Sequence, residues 1–218
     1  MITPDLFGNA THPGPREELL CEGAVVLRGF ALTDGPSLLR AIDTIATQAP
    51  FRHLITPGGF RMSVGMTNAG PLGWVSDRRG YRYDRIDPDT GKPWPVMPDV
   101  FLKLAGAAAA RAGFSGFVPD ACLINRYEPG TRLTLHQDRN ERDLDQPIVS
   151  VSLGIPAVFL FGGMQRTDRA MRVPLAHGDV VVWGGPARLR YHGVLPLKLN
   201  HHEAFGEFRI NLTFRCAG

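Results

Sequence analysis

The stretch from Phe208 to Arg215 alternates in character: Phe208, Ile210, Leu212 and Phe214 are apolar, while Arg209, Asn211, Thr213 and Arg215 are polar. A period of two is the mark of a strand with one apolar face. From residue 121 onward, short apolar runs recur between turns that carry Gly and Pro. They predict strands over 121–127, 133–137, 148–153, 157–161, 171–174, 179–183, 190–194 and 208–215, with loops at 162–170 and 195–206. Earlier, residues 24–27 read as a buried strand. Asp34-Gly35-Pro36-Ser37 offers an N-cap and an early Pro, and Leu38, Leu39, Ile42 and Ile45 follow at helical spacing, which predicts a helix to about Gln48. Val100, Phe101, Leu104 and Ala108 predict a second helix over about 98–112, stopped by Gly113. Two helices outside a sheet of many short strands point to a mainly β fold with some α, a double-sheet jelly roll with flanking helices.

Length and composition suit one globular domain: 218 residues can bury a sizeable core. Residues 1–18 read as an irregular lead-in to a domain over 19–218, whose strand-rich part is 121–218. No apolar run approaches a membrane span, and the N-terminus lacks a basic and apolar leader. Cys21, Cys122 and Cys216 are an odd number at wide spacing, which suits a reducing compartment and hence the cytoplasm. The basic residues are nearly all Arg, with Lys only at 92, 103 and 198. Guanidiniums suit phosphate contacts, although genome composition could give the same bias.

The candidate chemistry centres on Leu135-His136-Gln137-Asp138. In a strand, residues i and i+2 share a face, so an imidazole and a carboxylate could aim at one point. His192, in Leu189-Arg190-Tyr191-His192-Gly193, is the best third ligand. Two His and one carboxylate with open positions is the arrangement used for non-haem Fe(II) and dioxygen. The bland alternative is a His at a turn and a solvated Asp. The polar face of the last strand bears on the choice. If it looks inward, its guanidiniums require anions, because unpaired buried charge is costly. A dicarboxylate with a 2-oxo group would chelate iron at one end and meet a guanidinium at the other. Residues 52–96 differ again, with Phe60, Trp74, Tyr81, Tyr83 and Trp94 interleaved with Arg78, Arg79, Arg82 and Arg85. Such a mixture suits either a nucleic-acid surface or a loop packed on its own aromatics.

His136-x-Asp138, the distal His192 and the Arg209-x-Asn211-x-x-x-Arg215 strand resemble the AlkB family of Fe(II)/2-oxoglutarate oxygenases. Thr56-Pro57-Gly58-Gly59-Phe60, Met66-Thr67-Asn68, Gly73-Trp74, Asn125-Arg126-Tyr127 and the run from Gly178 to Gly185 agree with it. The match runs in order from about residue 20 to the end and is most similar to the bacterial direct-reversal DNA-repair members. The resemblance implies a jelly roll with a nucleotide-recognition lid over 52–96. It implies Fe(II) on His136, Asp138 and His192, with 2-oxoglutarate and O2 as cosubstrates. Asn125, Tyr127 and Arg209 would hold the far carboxylate, and Asn211 and Arg215 the end near iron, although the residues leave open which Arg takes which end. Trp74, Tyr81, Met66, Asn140 and Arg166 would face the substrate, with the base held between Trp74 and the His136 ring.

The implied reaction is oxidative removal of a methyl from a base nitrogen, such as that of 1-methyladenine or 3-methylcytosine. The products are formaldehyde, succinate and CO2. The substrate would be alkylated DNA, single-stranded or with the base flipped out, with RNA a further candidate, and the protein is expected to act as a monomer away from membranes. Two alternatives remain: an oxygenase of this fold acting on a small molecule or protein, and an idle jelly roll that only binds nucleic acid. Formaldehyde release from a methylated oligonucleotide separates them. The sequence departs from the family at Asn140, where an acidic residue is expected two positions after the metal Asp. His53, His177, His201 and His202 read as surface or loop histidines.

Overall fold

The computed structural model describes residues 16–218. In chain order the elements are β1 (Arg16–Cys21), β2 (Ala24–Arg28), α1 (Gly35–Gln48), β3 (Gly65–Ala69), β4 (Gly73–Asp77), β5 (Gly80–Asp84), α2 (Asp99–Arg111) and β6 (Ala121–Tyr127). They continue with β7 (Leu133–His136), β8 (Ile148–Gly154), β9 (Ala157–Phe161), β10 (Met171–Leu175), β11 (Val180–Trp183), β12 (His192–Val194) and β13 (Arg209–Arg215). A large sheet runs β1-β2-β11-β8-β13-β6-β3 and a smaller one β10-β9-β12-β7, while β4 and β5 pair apart from both as a hairpin. This is the expected double-sheet jelly roll.

The alternation in β13 orients the molecule. Ile210, Leu212 and Phe214 pack outward with Leu38, Ile42 and Ile45 of α1 and Phe101, Leu104 and Ala108 of α2. Both helices therefore cover the outer face of the large sheet with one apolar stripe each. The second apolar cluster joins the two sheets through Val26, Leu123, Tyr127, Val181 and Trp183 from one and Phe159, Phe161 and Val173 from the other. The polar face of β13 looks into the cleft left between them, where Arg209, Asn211, Thr213 and Arg215 line a cavity.

Several expectations shift. Residues 16–18, assigned to the irregular lead-in, open β1; the rest of that lead-in lies outside the described residues. Asp34 precedes α1, but its side chain makes no capping bond. Gly113 follows α2 with φ 91°, as a helix stop requires. The largest departure is in 52–96. This stretch is not one separate loop-rich lid, because β3 pairs with β6 inside the large sheet. Only the β4–β5 hairpin stands apart. At its base Gly73 lies so close to Trp94 that a Cβ would collide with the indole.

Candidate active site

The register of β12 against β7 builds the first part of the site, since His192 lies directly opposite His136. Between them Gly193 is required, because a Cβ there would come within 2.7 Å of the Leu133 carbonyl oxygen. Asp138 sits two residues past His136, beyond the end of β7. The shared-face argument thus holds in outcome, although the carboxylate is delivered by the segment leaving the strand. The ligand atoms of His136, Asp138 and His192 all lie within 4.8 Å of one another. His136 Nε2 is 3.8 Å and His192 Nε2 3.7 Å from the Asp138 carboxylate.

Each ring is oriented from its far side. Nδ1 of His136 faces the Thr134 carbonyl at 2.8 Å, and Nδ1 of His192 faces that of Arg190 at 3.1 Å. Carbonyls accept only, so they fix Nδ1–H and leave both Nε2 lone pairs for a metal. Crowding by protein, then the neighbouring His192 ring, push the His136 pKa down to about 4, although the ring edge stays open to the cavity. Burial would raise the Asp138 pKa, but the Arg215 guanidinium and then the two imidazoles outweigh it and hold the carboxyl well below its ordinary range. Two imidazoles and one carboxylate form a donor set suited to a divalent iron.

Arg209 and Arg215 stand at opposite ends of β13 and are both buried, at 2% and 5% exposure. Arg215 binds Asp138 Oδ2 through Nη2 at 2.6 Å and lies 3.3 Å from Glu141 Oε1. Among the described residues Arg209 meets no carboxylate. Its Nη2 donates to Ser152 Oγ at 2.9 Å, its plane lies 4.9 Å over the Tyr127 ring, and Nε and Nη1 have no partner there. Burial lowers its pKa, with Tyr127 only partly opposing. Asn125 Oδ1, an acceptor, also lacks a partner among the described residues. The donors open to an anion are Arg209 Nε and Nη1, and they fit the far carboxylate of a 2-oxo diacid. Asn211 differs from its neighbours because Ser150, Val151, Thr213 and Asn125 already engage its amide.

Sequence reasoning missed Glu141 and Arg188. Glu141, buried inside a charged loop, accepts from the Tyr83 hydroxyl at 2.6 Å and from Arg188 Nη2 at 3.2 Å. Arg188 also donates to the backbone carbonyls of Asp138 at 2.8 Å and Gln146 at 3.0 Å. Gln137, between the two expected ligands, donates to the Leu189 carbonyl at 2.6 Å. The segments carrying Asp138 and His192 are thereby tied together. Nothing in the sequence marks these roles, because the charges resemble those of a solvated loop.

All the residues expected to contact metal, cosubstrate or substrate line one cavity of about 580 Å³, within the usual size for a small-molecule site. Trp74 stacks on Tyr81, with centroids 5.6 Å apart and planes 14° from parallel, so in this structure its ring partner is Tyr81. Met66, Asn140 and Arg166 share the lining. Among the lid arginines, Arg79 and Arg82 are paired to Asp77, so the basic face expected of the hairpin is partly neutralised. His177 and His202 are not simply solvated, since their rings lie 4.3 Å apart and Phe205 packs on both. They join no three-ligand cluster among the described residues.

The family model described as the 2OG-Fe(II) oxygenase superfamily matches residues 23–215. The chain is 56% identical over 214 residues to the "Alpha-ketoglutarate-dependent dioxygenase AlkB" of Escherichia coli (strain K12), a match covering 98% of each chain. It is 38% identical over 170 residues to the "DNA N(6)-methyladenine demethylase ALKBH1C" of Arabidopsis thaliana, which is 66% of this chain and 37% of that one. The solved structure of OsALKBH1 superposes with a TM-score of 0.82 at 29% identity, covering 92% of this chain and 99% of that one. A jelly roll with an iron-type donor set and an anion cradle in one cavity agrees with these matches: the chain belongs to the AlkB family of Fe(II)- and 2-oxoglutarate-dependent dioxygenases.

Proposed function

We propose that this dioxygenase removes alkyl groups oxidatively from the ring nitrogens of nucleic-acid bases, with alkylated DNA as its first substrate class and RNA as the second. The observation that carries the reading is the Trp74–Tyr81 stack, which opens on the same cavity as the His136, Asp138 and His192 donors. A flat aromatic shelf beside an oxidising centre suits a planar base, since every base offers a π face. Asp138, His136 and His192 would hold Fe(II). Arg209, with Asn125 and the Tyr127 ring beneath it, would take the far carboxylate of 2-oxoglutarate, and Arg215 braces Asp138 at the iron end. Bound together, iron, 2-oxoglutarate and dioxygen supply one oxygen atom to a C–H bond while the keto acid becomes succinate and CO2. The protein's own work is positioning and exclusion of water.

A base in a duplex cannot reach a cavity between two sheets, so the substrate is a single strand or a flipped nucleotide. In the proposed pose the base sits between Trp74, backed by Tyr81, and the His136 ring. Exposed Arg139 and Arg166 at the rim are placed for backbone phosphates. A methyl hydroxylated on a ring nitrogen breaks down to formaldehyde and the repaired base. We further propose a cytoplasmic monomer: Cys21, Cys122 and Cys216 are all free thiols, and no helix among the described residues is long and apolar enough to cross a membrane. Formaldehyde and succinate released in equal amounts from a single-stranded 1-methyladenine oligonucleotide support the reading. Succinate without formaldehyde, whichever methylated oligonucleotide is offered, contradicts it.

A further inference from the structure

The chemistry above gives no part to Glu141, yet this carboxylate is buried at the meeting point of three elements. Its Oε1 accepts from the Tyr83 hydroxyl at 2.6 Å and also faces Arg215 Nε at 3.3 Å. Its Oε2 faces Arg188 Nη2 at 3.2 Å. Arg215 is shared in turn with Asp138, 2.6 Å from Oδ2. Tyr83 therefore lies three links from the metal carboxylate, through Glu141 and Arg215. Tyr83 also belongs to the shelf. In the β4–β5 register it is the direct cross-strand partner of Trp74. Tyr81, which stacks on Trp74, is two residues before it and so shares its face of the strand. A base pressing on the Trp74 ring therefore bears on the hairpin whose second strand carries the Tyr83 hydroxyl.

We propose that Glu141 is a positioning residue that relays occupancy of the Trp74–Tyr81 shelf to Asp138. The coupling rests on one shared oxygen. Tyr83 and Arg215 both draw on Oε1 of Glu141, so a change in the Tyr83 bond changes how strongly Glu141 competes with Asp138 for the Arg215 guanidinium. The charge that Asp138 can offer a metal changes with it. Arg188 keeps the relay in register, since it binds Glu141 Oε2 and the Asp138 carbonyl together. The inference rests on the metal and base assignments proposed above.

Coupling between two sites is reciprocal and is measured as a ratio of affinities. The test uses Co(II), which binds such a donor set without turning over, and a single-stranded oligonucleotide containing 1-methyladenine. The Co(II) dissociation constant of the full chain is measured with and without saturating oligonucleotide. In the unaltered protein the two values should differ by about fivefold or more, the lower end of typical coupling. Tyr83→Phe removes only the hydroxyl and should bring the ratio to within about twofold of unity, and Glu141→Gln should do the same. Ile45→Val trims the core beneath α1; it should lower the Tm yet keep the ratio, which separates a relay from general loosening. A ratio preserved in Tyr83→Phe overturns the relay, as does a ratio near one in the unaltered protein. Failure of Co(II) to bind, or of the oligonucleotide by anisotropy, overturns instead the metal or base reading on which the relay stands.

Discussion

The two ends of β13 hold the same side chain in opposite circumstances. Arg215 has two carboxylates of the protein's own, Asp138 and Glu141, whereas Arg209 has a serine hydroxyl and the face of a tyrosine. Burial works against both charges. For Arg215 the neighbouring carboxylates outweigh it and the pKa rises, and for Arg209 burial prevails and the pKa falls. A guanidinium satisfied internally is part of the scaffold, and one whose Nε and Nη1 lack partners among the described residues is the one we propose for a ligand. Position in the strand does not separate these roles; the elements facing each end do. Beyond Arg215 lies the segment from Asp138 to Glu141, whereas Arg209 is paired across the sheet with Tyr127 of β6 and Gly154 of β8.

The most severe way to break the contrast is to remove the shared carboxylate. Asp138→Ala should abolish turnover and Co(II) binding while the protein stays folded by circular dichroism; an active variant would refute the donor set. Next, Arg215→Met should strand Asp138 without a cation and leave Glu141 with Arg188 alone. Removing one partner of a buried pair costs about 3–5 kcal/mol, so chemical denaturation should show a loss of that size. A variant as stable as the parent would show that Arg215 is not scaffold. A smaller effect belongs to the shelf. Trp74→Ala should weaken binding of a methylated oligonucleotide by about 1–3 kcal/mol. Oligonucleotide-independent decarboxylation of 2-oxoglutarate should survive, because both ends of β13 are untouched. Equal loss of both would make Trp74 a support of the fold.

The smallest effect concerns Asn140, exposed on the cavity lining where an acid is expected. An amide both donates and accepts and carries no charge. The protein should therefore favour cationic lesions such as 1-methyladenine and 3-methylcytosine less strongly than an acidic residue would over neutral 3-methylthymine or 1-methylguanine. Asn140→Asp should move the ratio of kcat/KM values toward the cationic bases by about 1 kcal/mol, or several-fold, since the site is near solvent and partly screened. An unchanged ratio would show that this position does not read charge.

What the sequence made legible was carried by regular patterns. The alternation placed the apolar and polar faces correctly over 209–215, although Phe208 precedes β13 and is exposed, and β9 falls on the predicted residues 157–161. His136, Asp138 and His192 were found because their side-chain types have few other reasons to recur together. The strands in 52–96 were hidden for a physical reason: Gly65-Met66-Thr67-Asn68-Ala69 is buried along its whole length, so no alternation marks it. The β4–β5 hairpin turns at Asp77-Arg78-Arg79-Gly80, where Arg residues among aromatics suggested a nucleic-acid surface or a loop packed on its own aromatics. Glu141 and Arg188 were illegible because a buried ion pair is made by tertiary neighbours, and the two lie in separate loops. The same holds for the pairing of Arg79 and Arg82 to Asp77, which took part of the basic face away.

The central claim is that Arg209 is held unpaired for the far carboxylate of 2-oxoglutarate. The most direct measurement is a calorimetric titration, under anaerobic conditions with Co(II) in place of iron, of 2-oxoglutarate and of 2-oxobutyrate, which lacks that carboxylate. The unaltered protein should bind 2-oxoglutarate about a hundredfold more tightly, the order expected when a desolvated charged partner is lost. Arg209→Met should bind the two acids nearly equally, at about the affinity the unaltered protein shows for 2-oxobutyrate. An Arg209→Met protein that keeps the full preference for 2-oxoglutarate would contradict the account.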